Sequence, residues 1–219
     1  MFSWLRKFRK KETKQVLPET NEPANLFQQV ESSLPNYLSS AQKGKLLEGL
    51  KDFPDHMQYF AQSDEEAALQ GDGWSNVDIY VPEIKSEKST NVLLLSNSCD
   101  LSAANFRKIP MRALMAPLFR MSLIEKDLLS RGAKEKDVQD LFKAFKAQQV
   151  TNVFYLPKQA GRLEEDCVVF LDAISWQYLS SFCENTEKKK IFSLSQQGAW
   201  MLALKLSIHF CRLTDGVVR

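Results

Sequence analysis

Four consecutive aliphatic residues, Val92-Leu93-Leu94-Leu95, place the tightest limit on what this chain can fold into. A strand turns successive side chains to opposite faces, so an unbroken apolar run of strand length calls for cover on both sides. The run stops at Ser96-Asn97-Ser98-Cys99-Asp100, all small or turn-favouring residues. A central strand with packing on each face is therefore expected.

Neighbouring strands are legible around it. Val77, Ile79 and Val81 alternate with Asp78 and Tyr80 up to Pro82, and Lys85 to Thr90 reads as a polar turn. Ala113 to Leu118 is another apolar stretch. Val153 to Leu156 and Cys167 to Leu171 read as a hairpin with a long tip, Lys158 to Asp166. Trp176, Tyr178, Leu179 and Phe182 continue the apolar signal towards the break at Lys188 to Lys190.

Helical spacing occupies the flanks. Leu26, Phe27 and Val30 follow Pro23, a second run carries Leu46, Leu47 and Leu50, and a third is expected from Met57 through Phe60 to Ala68. Residues 122–149 are helical again and are divided by Gly132; Val138, Leu141, Phe142 and Phe145 form one stripe packed on the core. From Ser193, spaced from Gln196 as a capping box, a last helix is apolar almost all round and expected to be buried. Its polar stripe, Lys205, His209 and Arg212, reads as a solvent edge. The fold class is α+β: a small, mostly antiparallel β barrel or sheet with a helical N-terminal segment, a helical insertion and a buried C-terminal helix. The expected division is a basic amphipathic terminus and linker (1–20), a helical segment (21–70) and a β core (71–219) that includes the insertion (122–149) and the last helix (193–213).

An apolar fraction of 44% suffices for one core, and no run is long enough to span a bilayer. The basic opening lacks a signal-peptide apolar region, so a cytoplasmic location is expected. The net charge of +2 hides five cations in the first eleven residues, which leaves the rest slightly acidic and argues against a generic nucleic-acid binder. Phe2, Trp4, Leu5 and Phe8 lie among those cations, as a peripheral membrane or partner contact would require; the plainer alternative is an ordinary basic terminus.

Cys99, Cys167, Cys183 and Cys211 form no C-x-x-C pair, and the histidines are His56 and His209, so no metal site is expected. The acidic tip Glu164-Glu165-Asp166 reads as solvated charge rather than as a metal site with Asp172. Phosphate-loop, dinucleotide and kinase signatures are missing, and no cofactor is expected. Cys99 is the sharpest chemical candidate, a nucleophile at a strand-to-turn junction that Asp100 or His209 would orient or activate. The alternative packs Cys99 inward while its neighbours bond the turn.

Gly71-Asp72 leading into a strand, Val92 to Leu95 ending in Ser96, and Leu114-Met115-Ala116-Pro117 together resemble the MazF/PemK-like family over residues 71–122. The resemblance implies an SH3-like barrel, and the best-known members are toxins that cut single-stranded RNA. The family places a basic residue and a proline before the buried strand, where this chain has Ser89-Thr90-Asn91; it places small hydroxyl residues after the later proline, where this chain has Leu118-Phe119-Arg120. The implied function is a non-catalytic binding or regulatory subunit of a bacterial stress, toxin–antitoxin or antiviral defence system, with a protein partner. One alternative is an RNA-cleaving toxin with a rearranged site using Arg107, Lys108, Arg112 or Arg120. Another is a cysteine-dependent hydrolase built on Cys99.

Overall fold

A computed structural model describes residues 44, 57–62, 67–81, 86–102 and 110–211. The first two strands, β1 (Gly73–Val81) and β2 (Ser86–Leu94), form a long hairpin. The polar stretch expected as a turn is the first half of β2, where Ser86 to Thr90 pair with Val81 to Val77. Ladder hydrogen bonds rather than side-chain burial hold this half, since its side chains are mostly exposed. Between Trp74 and Val77 the register shifts, and Asn76 takes φ +57° there, a conformation Asn tolerates better than most residues.

A single turn, α1 (Ser98–Leu101), follows β2, and β3 (Arg112–Arg120) then pairs with it, Val92 to Leu94 against Pro117 to Met115. Two helices come next, α2 (Met121–Ser130) and α3 (Glu135–Lys146). Gly132, at φ +85°, ends α2: its amide bonds the Leu129 carbonyl and the Ala133 amide reaches Leu128, a Schellman closure. Strands β4 (Val153–Leu156), β5 (Cys167–Phe170) and β6 (Ser175–Tyr178) lead into α4 (Leu179–Glu184), β7 (Lys189–Phe192) and α5 (Gln196–Cys211).

The sheet runs β4-β5-β3-β2-β1-β7, with antiparallel pairings throughout, and β6 also pairs with β3. Both β5 and β6 are partners of β3, at Leu118 to Arg120 and at Arg112 to Met115 respectively. Pro117, which has no amide to donate, falls between the two ladders. Of the two expected forms, the sheet is the one present, and it is open. β1 and β6 approach each other without exchanging ladder bonds, and the other edge of β1 pairs with β7 over Gly73 to Ser75.

The central strand behaves as its composition demands. Val92 and Leu94 enter a smaller core with Trp74, Met115 and Phe182, while Leu93 and Leu95 enter a larger one with Phe60, Phe154 and Phe192. Hydrogen bonds fasten the C-terminal end of the run: Gly71 N–H donates to the Leu94 carbonyl, Leu94 N–H to the Asp72 carbonyl, and Leu114 N–H to Ser96 Oγ at 2.8 Å.

Three local expectations are corrected. Residues 57–60 are not helical; Phe60 bridges to Leu194, and its ring meets Phe192 at 4.8 Å, so burial of Tyr59 and Phe60 sets this segment. The cap of α5 is Ser195 rather than Ser193, with its hydroxyl accepting from Gly198 N–H. And α5 is not buried all round, because it packs on β4 with one side only: Met201 and Leu202 are inside, while Leu204, Ile208 and Phe210 are exposed. Among the described residues no helix is long and apolar enough to cross a membrane.

Candidate binding site

β3 and β6 carry a side-chain cluster on their outward face. Along β3, Ala113 and Met115 point into the smaller core, which turns Arg112 and Leu114 outward. The register sets Tyr178 opposite Arg112 and Trp176 opposite Leu114. Trp176 is 49% exposed, Tyr178 44% and Leu114 41%, all high for such large apolar groups. The two rings meet edge to face at 5.6 Å, and the Arg112 guanidinium lies 4.8 Å from the Trp176 centroid and 5.6 Å from that of Tyr178. Cation–π attraction thus orders a polar and two aromatic groups into one surface. Ile174, also exposed, immediately precedes β6.

The other cations expected to hold RNA are not gathered here. Arg120 lies at the far end of β3, on the order of 26 Å away for eight extended residues. It pairs there with Glu165 at 3.7 Å. Arg107 and Lys108 lie outside the described residues, as do Phe2, Trp4, Leu5 and Phe8.

Cys99 is exposed on α1, and Asp100 follows it half-buried. Asn97 caps this turn by accepting from Cys99 N–H at 3.0 Å, and Ser98 Oγ accepts from Gln70 N–H. Leu101, not Cys99, packs inward. His209 sits on α5, which packs through Met201 and Leu202 on the larger core, whereas α1 packs on the smaller one. Cys99 and Asp100 thus sit beside one core and His209 on a helix of the other.

An open groove of about 330 Å³ lies between α2, α3 and the β4–β5 tip. Ser122 Oγ donates to Glu165 at 2.5 Å, and Asp166 accepts from Lys146 and from the Lys158 amide, each at 2.8 Å. Partial burial disfavours ionisation of Asp166, but these donors and the Tyr155 hydroxyl outweigh it and hold its carboxyl below the ordinary value. Burial, reinforced by Asp166, pushes the Tyr155 hydroxyl up. Burial with help from Glu165 pushes the Cys167 thiol up to about 11, so it is a poor nucleophile at neutral pH. Of the tip carboxylates expected to be bare charge, Glu165 and Asp166 are engaged while Glu164 is exposed, and Asp172 accepts from Asn152.

Two polar features inside the fold have no sequence precedent here. Asp72 is fully buried and pairs with Lys190 at 2.8 Å, accepting also from Leu69 N–H. Lys205, expected at the solvent edge, is 4% exposed. It donates to the carbonyls of Gln148, at 2.9 Å, and Val150.

No protein-family model matches this chain, and no curated protein matches it. Sequence reasoning passed over the Arg112 face because Trp176 and Tyr178 count towards a core on composition alone. The available signal was parity: Ser175-Trp176-Gln177-Tyr178 puts both rings on one side of a strand, which need not be the inner side.

Proposed function

We propose that this chain is a non-catalytic binding module and that the face formed by Arg112, Leu114, Trp176 and Tyr178 is its contact surface. The observation that carries the reading is the mutual packing of an arginine and two aromatic side chains in full view of solvent. Trp, Tyr and Arg are the residue types that dominate binding energy at protein interfaces. The Trp and Tyr side chains are large and stiff and lose little conformational freedom when covered. The titratable groups of the groove fit the same reading, since Asp166 and Glu165 are committed to local partners rather than poised for proton transfer. Membership in a bacterial stress or defence assembly is the setting that the resemblance over residues 71–122 suggests.

The test is retention of a cellular partner. Wild-type chain and a Trp176→Ala, Tyr178→Ala double variant are immobilised and exposed to lysate of the source organism. A protein held by the wild type and lost from the double variant, with unchanged melting temperature, is expected. Equal retention by both would refute the assignment of this face.

A further inference from the structure

The Arg112 face also indicates the chemistry of what covers it, and this step rests on the reading of that face as the contact surface. Aromatic faces attract a guanidinium but do not accept its five in-plane donors. Among the described residues no carboxylate lies within ion-pair distance of Arg112. Covering the cation therefore requires an incoming acceptor, preferably a charged one that takes two donors at once. Around it the surface is apolar, with Leu114 and Ile174 beside the two rings.

We propose that the occupant is a protein segment that brings an aspartate or glutamate to Arg112 and apolar side chains to Leu114, Trp176 and Tyr178. A single-stranded nucleic acid would use the rings, but it needs a track of cations along its backbone. The other described cation on β3, Arg120, is at the opposite end and paired with Glu165. The chain beyond its first eleven residues carries more acids than bases, which repels a polyanion at long range. A short acidic segment asks for one cation and an apolar surround, and both are present.

The experiment selects a displayed library of random short peptides on the full chain and counter-selects on the Trp176→Ala, Tyr178→Ala variant. Selected peptides are expected to carry Asp or Glu beside Leu or an aromatic residue. Their affinity should fall by about tenfold or more, the loss of one charged contact, in Arg112→Glu and much less in Arg112→Lys. Replacing the peptide's acid by lysine should restore binding to Arg112→Glu, which no purely structural role would produce. Peptides that need both rings but ignore Arg112→Glu would overturn the acidic occupant and leave the contact face standing. Binding that survives loss of both rings, or failure to select any peptide, would overturn both. A uridine or thymidine homopolymer that binds, and is lost in Trp176→Ala, would assign the face to nucleic acid instead.

Discussion

Replacing Lys205 by methionine tests the interior of the fold most directly. Burial lowers the Lys205 amine from its ordinary 10.5 to about 8. Below pH 8 both folded and unfolded chains hold the proton, so the folded state carries the full cost of a desolvated charge. Between about pH 8 and 10.5 the unfolded chain keeps a proton that the folded chain has lost, so stability rises with pH. The slope is at most about 1.4 kcal/mol per pH unit, which amounts to roughly 2 kcal/mol by pH 9.5. Methionine keeps the aliphatic stem and removes the charge, but it leaves the Gln148 and Val150 carbonyls without their donor. That loss costs about 1–3 kcal/mol per buried group, so near pH 7 the two effects offset. By pH 9.5 the neutral amine still donates while its desolvation cost is gone, and the variant should trail the wild type by about 2 kcal/mol more than at pH 7. The assay is urea unfolding of both proteins at the two pH values. Cys167, whose raised thiol works in the opposite direction between about pH 9 and 11, is common to both and cancels in the difference. A difference that stays constant with pH, or that shrinks, would show that this amine is not buried in its charged form.

Alkylation of the native protein, followed by mass spectrometry, should label the exposed Cys99 and Cys183 rapidly and spare the buried Cys167; labelling of all three at one rate would contradict the packing of β5. Gly73→Ala should lower the melting temperature, because the added methyl would lie 2.3 Å from the Phe192 ring; overpacking of this kind costs about 1–3 kcal/mol, and a neutral result would mean that β7 yields easily. Purified protein incubated with mixed-sequence single-stranded RNA should produce no new ends. Cleavage abolished by Arg120→Ala would instead restore the toxin-like reading.

The parts of the fold that were legible are those where local pattern and burial coincide. Val92 to Leu95 announced burial on both faces because four aliphatic residues leave no polar side to expose, and Gly132 announced a helix break because its conformation is needed there. Lys205 was not legible: what buries it is a pair of carbonyls more than fifty positions earlier, which no periodicity reports. Likewise Leu204, Ile208 and Phe210 match core residues in type, and only the placement of α5 on one side of β4 leaves them outside. The contact face was half legible. Arg112 stands out in the sequence as a cation next to a strand, but its aromatic partners come from a strand that register alone sets beside it.

The double burial of β2 bears on how the sheet finds its alignment. Most strands are held in register by contrast, since a slip of one residue turns apolar groups out to water. Val92 to Leu95 has no such contrast: a slipped strand would still offer aliphatic groups to both cores. Alignment must then come from the far end of the run, where the Asp72 carbonyl and the Ser96 hydroxyl meet the ladder through directional bonds. These small polar residues serve as punctuation for a word that reads alike when shifted, and damage to them would first appear as mispaired chains rather than as a weakened core.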